Sequence, residues 1–265
     1  MDLLHAVFLA ILQGFTEFLP ISSSGHLVLA PKLLDWEDQG LAFDVAVHLG
    51  TLVAVVAYFR HELIVMAVDW IKSVTGGPRT AESRLAWAII WGTVPVAIAG
   101  FLISGPVEEY LRNPLLVAST TAGFGVLLWL ADVRGRRVRD EHSLGWSDVV
   151  LIGLAQVLAL VPGTSRSGIT MTAGLLLGLT RAAAARFSFL LAVPVILAAS
   201  LLETIKLVGQ PEPADWGALA VGTSVAAIVA YLTIGWFLRV LESVGMWPFA
   251  LYRVLLAAVL VFVFI

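Results

Sequence analysis

The sequence contains no cysteine and few charged residues. The absence of cysteine excludes disulfide bonds, a thiolate nucleophile and cysteine-ligated metals. Charged residues make up only 13% of the 265 residues, whereas a soluble domain carries about 25%. Hydrophobic residues make up 59%, and the mean hydropathy is +0.94. So little polar surface predicts a polytopic membrane protein, folded as one integrated domain over residues 1–265.

Six apolar segments have about the length that a membrane-spanning helix needs, roughly 20 residues. Two others, 3–19 and 149–161, are too short, and each ends at a proline followed by a polar run. Each is predicted to dip into the membrane as a half-helix and to continue in a short apolar piece, 27–34 or 169–179. The predicted fold is all-α, with six transmembrane helices and two re-entrant broken-helix hairpins. The predicted spans are 43–59, 85–104, 115–132, 187–208, 217–238 and 249–265.

The charges of the connecting segments predict how the spans are oriented. Lysine and arginine are concentrated in the connections 60–84 and 133–148, whereas 105–114 and 209–216 are mainly acidic. The positive-inside rule places the basic connections in the cytoplasm. The acidic connections and the C-terminus then lie outside. The first hairpin enters the membrane from outside and the second enters from the cytoplasm.

The two hairpins carry the same polar residues at the same spacing. Gln13, Ser22, Ser24 and Gly25 are matched by Gln156, Ser165, Ser167 and Gly168. Two pseudo-repeats, about 1–132 and 149–265, would each contain one hairpin followed by three spans. An odd number of spans inverts the second half relative to the first. In such inverted-topology repeats the broken helices meet near the bilayer midplane and form the binding site.

The polar run of the second hairpin is a candidate phosphate receptor. It places the guanidinium of Arg166 among hydroxyls and glycines, between long apolar segments. A charge at membrane depth is costly and usually lines a functional cavity, and a guanidinium beside backbone N–H groups suits phosphate oxygens. Alternatively, Arg166 forms a buried ion pair with Glu17, and the hydroxyls only satisfy backbone groups. The candidate substrate-binding residues are Gly163, Ser165, Ser167 and Thr170, with Ser22 and Ser24 from the first hairpin.

The first hairpin supplies the other candidate catalytic groups. Glu17 and Gln13 are four residues apart, so they share one face of a helix, and they are the candidate metal ligands. Ser23 is the candidate nucleophile, and His26 is the candidate general acid or base. Alternatively, Glu17 makes a structural cap or pair, and His26 is an ordinary buried polar residue.

Two further polar residues, Asp44 and His48, share a helical face at the start of the span 43–59. They are either supporting groups of the same site or interfacial polar residues.

Two runs of the chain resemble the signature motifs of the undecaprenyl-diphosphate phosphatase family of the bacitracin-resistance type. They are QGFTEFLPISSSGH at 13–26 and PGTSRSGIT at 162–170. Runs that begin at Phe43 and Phe187 are also similar, so the resemblance covers essentially the whole chain. The first motif of the family has Glu or Gln, three residues, and then Glu. This chain has Gln13 there, so a second metal-binding carboxylate is absent.

The resemblance implies hydrolysis of undecaprenyl diphosphate to undecaprenyl phosphate and inorganic phosphate, which recycles the lipid carrier of peptidoglycan synthesis and confers bacitracin resistance. It implies a divalent cation, Mg²⁺ or Ca²⁺, held by Glu17 with Gln13, and charge neutralisation of the transferred phosphoryl group by Arg166. It also implies a multi-pass protein of the bacterial cytoplasmic (inner) membrane, with an active site that faces the periplasm or exterior. The partners are then the polyprenyl diphosphate and membrane lipids, not nucleic acid, and a homodimer is left open.

Two questions stay open at this point. The attacking group is either Ser23, helped by His26, or a water that His26 activates. The competing function is a secondary transporter or lipid flippase, because inverted repeats, broken helices and an intramembrane arginine with a glutamate are also typical of transporters.

Overall fold

The computed structural model describes residues 2–37, 39–103, 113–208 and 215–264, and these ranges contain eleven α-helices and no β-strand. The all-α prediction is therefore confirmed. Two single 3₁₀ turns lie at Glu141–Ser143 and Leu158–Leu160. In chain order the helices are α1 (Leu3–Thr16), α2 (Ser23–Leu34), α3 (Gly40–Tyr58), α4 (Arg60–Val74), α5 (Ala81–Ile103), α6 (Pro114–Arg134), α7 (Trp146–Val157), α8 (Arg166–Leu176), α9 (Arg181–Val208), α10 (Trp216–Val244) and α11 (Trp247–Phe264).

Six of the described helices are long and apolar enough to cross a membrane, which confirms the predicted spans. They are α3, α5, α6, α9, α10 and α11. The acidic connections 105–114 and 209–216, on which the predicted orientation depends, lie mostly outside the described residues. The orientation and the re-entrant course of the hairpins stay predictions.

The basic connection 60–84 contains a helix, α4, that was not among the predicted segments. Its residues include Arg60, Glu62, Asp69 and Lys72, and these charges make its 15 residues too polar for a span. Apolar side chains at helical spacing nevertheless give it one hydrophobic side. Met66 is buried, and α4 packs mainly against α5.

Each predicted hairpin consists of two short helices joined by a sharp break. In each, the serine directly before the second helix has a left-handed backbone: φ is +72° at Ser22 and +69° at Ser165. Residues other than glycine rarely adopt this conformation. The neighbouring hydroxyls also correspond, because the Oγ atoms of Ser22 and Ser24 are 3.4 Å apart and those of Ser165 and Ser167 are 3.2 Å apart. The matching motifs therefore fold into matching local structures.

The two halves of the chain interlock. The first helix of each hairpin packs against a long helix of the other half: α1 lies along α10, and α7 lies along α5. The breaks that follow α1 and α7 are thereby brought to the interface between the halves.

A buried aromatic cluster supports this interface. The ring of Phe18, from the first hairpin, meets Phe189 of α9 edge-on, and Phe189 also contacts Phe59 and Phe237. All four rings are buried. The guanidinium of Arg166 lies 5.9 Å from the centre of the Phe18 ring. The apolar core therefore continues directly up to the polar residues of the second hairpin.

Candidate active site

The tips of the two hairpins, residues 17–23 and 162–167, are in direct contact. Arg166 Nη2 donates a hydrogen bond to Glu17 Oε1 at 3.0 Å, and Ser167 Oγ donates to the carbonyl of Leu19 at 2.9 Å. Arg166 Nη1 donates to the carbonyl of Ser188, at 3.1 Å. The two motifs, which are far apart along the chain, therefore form one polar cluster.

Arg253 of α11 ties both tips together. Its side chain is fully buried and reaches five backbone carbonyls, which belong to Pro20, Thr120, Thr121, Gly163 and Thr164. The shortest of these bonds runs from Nη2 to the Thr164 carbonyl, at 2.8 Å. Among the described residues, no carboxylate pairs with Arg253. It was absent from the predicted site, although an arginine inside an apolar span is itself a sign of function.

Gly163 shapes the second tip. Its φ is +86°, and an added Cβ would lie 2.4 Å from Thr120 Oγ1 and 2.5 Å from the carbonyl oxygen of Val117. Only glycine has both the conformational freedom and the small size for this position. The loop can therefore lie against α6 and turn the Gly163 carbonyl toward Arg253.

Glu17 is the centre of the polar cluster. Its Oε2 accepts hydrogen bonds from Ser23 Oγ at 2.7 Å and from Gln13 Nε2 at 3.0 Å, while Oε1 accepts from Arg166. His48 Nε2 lies 3.8 Å from Oε2. Only 8% of Glu17 is exposed. Three donors and a guanidinium charge favour an ionised carboxylate at this position.

A cavity of about 330 Å³ opens beside the cluster. Seven predicted site residues line it: Glu17, Ser22, Ser23, Ser24, Gly163, Ser165 and Arg166. The rest of the wall is mainly apolar and includes Val45, Val96, Leu160, Val161, Val195 and Ile196. Because Ser22 to Ser24 and Ser165 to Arg166 begin α2 and α8, the N-termini of two helices adjoin the cavity. Helix N-termini attract anions, so the polar end suits an anionic group and the apolar wall suits a hydrocarbon chain.

Ser167 and Thr170, predicted to bind substrate, do not line the cavity. Thr170 Oγ1 donates to the carbonyl of Arg166 at 2.9 Å and bonds to Ser188 Oγ at 2.7 Å. Ser167 Oγ instead donates a hydrogen bond to the Leu19 carbonyl of the first tip. In this geometry both hydroxyls stabilise the loop around Arg166, as the alternative interpretation of these residues proposed.

His26 is also outside the cavity wall. Its Nδ1 lies 2.7 Å from the Ser22 carbonyl, which can only accept, so Nδ1 is the donor. In the neutral ring, Nε2 then accepts a hydrogen bond from the Tyr252 hydroxyl at 2.6 Å. The structure does not place the ring beside the Ser23 hydroxyl, which donates to Glu17 instead. A direct acid or base role for His26 stays a prediction.

The side chains of Glu17 and Gln13 have the oxygen ligands that would suit part of the coordination of a hard divalent cation. Gln13 is buried, and its Oε1 has no hydrogen-bond partner within the described ranges. A half-turn of the amide would exchange its oxygen and nitrogen and place Oε1 beside the Glu17 carboxylate. Within the same ranges, no three His, Asp or Glu residues form a complete metal site. Mg²⁺ commonly uses one or two carboxylates and takes its other ligands from phosphate and water.

Four polar residues of the cavity wall were not among the predicted site residues. They are Asp44, His48, Ser200 and Glu203. The sequence interpretation had named the first two as supporting groups. Ser200 and Glu203 lie in a predicted span and belong to no motif, so only the packing of α9 against the hairpins places them at the cavity.

Comparison with known proteins agrees with the geometry. The family model described as Bacitracin resistance protein BacA matches residues 6–259. The chain is 59% identical to Undecaprenyl-diphosphatase 2 of Stutzerimonas stutzeri (strain A1501), over 100% of this chain and 99% of the relative. It is 58% identical to the undecaprenyl-diphosphatase of Nitrosococcus oceani, over 100% of both chains. It is 54% identical to that of Chromohalobacter salexigens, over 98% of both chains.

Proposed function

Because this chain belongs to the bacitracin resistance protein BacA family, we propose that it is an undecaprenyl-diphosphatase. It hydrolyses undecaprenyl diphosphate to undecaprenyl phosphate and inorganic phosphate, which returns the lipid carrier to peptidoglycan synthesis and confers resistance to bacitracin. The observation that carries this proposal is the cavity in which Arg166, Glu17 and Ser23 meet beside an apolar wall. Neither the relatives nor the described geometry favours a transporter.

The polar end of the cavity would hold the diphosphate. Arg166 supplies the guanidinium, and the hydroxyls of Ser22, Ser24 and Ser165 line the same wall. The hydrogen bonds of Arg166 to Glu17 and to the Ser188 carbonyl set its direction before substrate arrives. Enzymes accelerate phosphoryl transfer mainly by positioning the reactants and by stabilising the charge of the transition state. A guanidinium that is already oriented supplies this stabilisation. The apolar wall would accept the first part of the prenyl chain.

Ser23 is the nucleophile in this proposal. Its hydroxyl donates to Glu17 at 2.7 Å, so the carboxylate is placed to take the proton. As the bond from Ser23 Oγ to the terminal phosphorus forms, the bond from that phosphorus to the bridging oxygen breaks, and undecaprenyl phosphate leaves. Water then cleaves the phosphoserine and releases inorganic phosphate. Direct attack by water is the alternative that the second test below distinguishes.

Gln13 and His26 complete the site. Glu17, with the amide oxygen of Gln13, would hold Mg²⁺ or Ca²⁺, which supplies positive charge to the diphosphate when bound. His26 has a positioning role in this proposal. Its Nδ1–H donates a hydrogen bond to the Ser22 carbonyl, which holds the residue directly before Ser23 in place.

The proposal places the enzyme in the bacterial cytoplasmic membrane with the cavity open to the exterior. The distribution of charge among the connections supports this orientation, because the basic connections 60–84 and 133–148 belong in the cytoplasm by the positive-inside rule. The matched left-handed serines at the two breaks support two re-entrant hairpins in an inverted repeat of about 1–132 and 149–265. The aromatic cluster shared by the two halves supports one integrated domain.

The first test is phosphate release by the purified full chain in detergent. With undecaprenyl diphosphate and Mg²⁺ we expect multiple turnovers, no turnover in EDTA, and recovery when Mg²⁺ or Ca²⁺ is returned. Glu17→Gln is expected to be inactive under all of these conditions. Tight lipid binding without phosphate release would contradict the proposed function and favour a transporter. Unchanged release in EDTA would contradict the proposed cation.

The second test asks whether Ser23 becomes phosphorylated. Acid quenching during turnover of substrate labelled in its terminal phosphate is expected to leave the label on Ser23, located by mass spectrometry. Ser23→Ala should lose the label and about 10³-fold or more of the rate, because the nucleophile is absent. Ser224→Ala, an exposed hydroxyl on α10, is the matched control and should behave as wild type. Near-normal turnover by Ser23→Ala without label would mean that water attacks directly.

A further inference from the structure

His48 presents one ring nitrogen toward the catalytic carboxylate. It lies on α3, lines the cavity, and its side chain is 34% exposed. Its Nδ1 is 2.7 Å from the backbone carbonyl of Asp44, and because a carbonyl only accepts, Nδ1 carries the hydrogen. The other nitrogen, Nε2, lies 3.8 Å from Glu17 Oε2, too far for a hydrogen bond. In the neutral ring, the Asp44 carbonyl therefore selects the tautomer whose lone pair lies on Nε2.

This arrangement is the one that metal-binding histidines use. One ring N–H bonds to a carbonyl or carboxylate, which holds the ring orientation and leaves the other nitrogen to bind the metal. Two arrangements satisfy an Nε2 that faces a carboxylate: a proton on Nε2, which makes an ion pair, or a cation bound between the two atoms. Atoms 3.8 Å apart can both bind one cation, because metal–nitrogen and metal–oxygen bonds are about 2.0–2.4 Å long.

The other side chains around Glu17 leave a place for such a ligand. Arg166, Ser23 and Gln13 all donate hydrogen bonds to the carboxylate. Of the two ligand positions that the first motif offers, only Glu17 is a carboxylate, because residue 13 is glutamine. A neutral nitrogen from α3 would add a ligand on the side of Glu17 that faces the cavity, without adding negative charge beside an anionic substrate.

We propose that His48 Nε2 is a direct ligand of the divalent cation, together with Glu17. The inference rests on the proposed function and deepens it by naming a ligand outside both signature motifs. Imidazole binds transition-metal ions in preference to Ca²⁺, so the site should accept Mn²⁺ as well as Mg²⁺.

The test is electron paramagnetic resonance of Mn²⁺ bound to the full chain in detergent, with Mn²⁺ alone and with Mn²⁺ and inorganic pyrophosphate. We expect nitrogen hyperfine coupling from one histidine in wild type, and its loss in His48→Gln and His48→Ala. His61→Gln, an exposed histidine on α4, is the matched control and should keep the coupling. Removing a ligand should also raise the Mn²⁺ concentration for half-saturation at least about tenfold, as even outer groups of metal sites contribute that much.

Three outcomes would overturn the inference: no bound Mn²⁺, bound Mn²⁺ without nitrogen coupling, and coupling that His26→Gln removes while His48→Gln keeps it. Glu17→Ala should abolish the coupling too, since both ligands hold the same ion. Phosphate release measured on the same wild-type sample separates the two proposals. Turnover without coupling contradicts only the role of His48, whereas coupling without turnover contradicts the proposed function.

Discussion

Arg166→Ala will lower the rate of phosphate release by about 10³-fold or more. Arg166 lines the cavity and is already held by the Glu17 carboxylate and the Ser188 carbonyl. Removal of an arginine that stabilises a transferring phosphoryl group typically costs this much, because no water molecule replaces its fixed charge. Arg166→Lys should recover only part of the rate, since an ammonium lacks the planar fork of donors. The measurement is kcat, with thermal unfolding of each variant in detergent as the check on folding.

The ion pair with Glu17 allows a purely structural explanation of the same loss, and separate measurements of stability and of activity distinguish the two explanations. Removing one partner of a buried pair costs about 3–5 kcal/mol, so Arg166→Ala should also be less stable. Combining Arg166→Met with Glu17→Gln removes both charges and should restore much of the thermal stability. Because Glu17→Gln is itself expected to be inactive, the double variant reports on stability only. Activity is measured on Arg166→Met alone, below its unfolding temperature, and we expect it to be inactive while folded. If folded Arg166→Met turned over substrate at near the wild-type rate, Arg166 would be a structural residue only.

Arg253→Met will destabilise the whole hairpin assembly and abolish turnover. The substitution preserves much of the volume but removes the guanidinium donors to the carbonyls of Thr121, Gly163 and Thr164. The Gly163 carbonyl then keeps only the 3.3 Å hydrogen bond from Thr121 Oγ1. Each buried carbonyl left without a donor costs about 1–3 kcal/mol, so the expected loss is several kcal/mol. The measurements are the unfolding temperature in detergent and the proteolytic sensitivity of the two tips.

Two variants make the role of Arg253 specific. Arg239→Met removes an exposed arginine from α10 and should leave both stability and activity at wild-type levels. Arg253→Lys keeps a charge but has fewer donors in a different geometry, so it should fold better than Arg253→Met while turning over more slowly than wild type. An Arg253→Met protein as stable and active as wild type would show that the five carbonyl contacts contribute nothing.

The spans and the two motifs could be predicted because their signals are local. The length of an apolar run sets whether a helix can cross a bilayer, and the six predicted spans correspond to six helices. The pairing of Arg166 with Glu17 was also predictable, since two opposite charges at membrane depth have few other ways to be satisfied. The helix α4 was not predicted, because its charges resemble those of a loop and its apolar face is short.

The sequence alone determined that this is a six-span membrane protein whose two polar motifs belong together. Only the tertiary structure decided which polar groups face the cavity. Ser23 turns toward Glu17, Thr170 turns away to Ser188, and His26 lies behind the first tip. It also decided that Arg253 of α11 holds both tips. These directions depend on how helices from opposite halves pack, and contacts between residues distant in the chain set that packing.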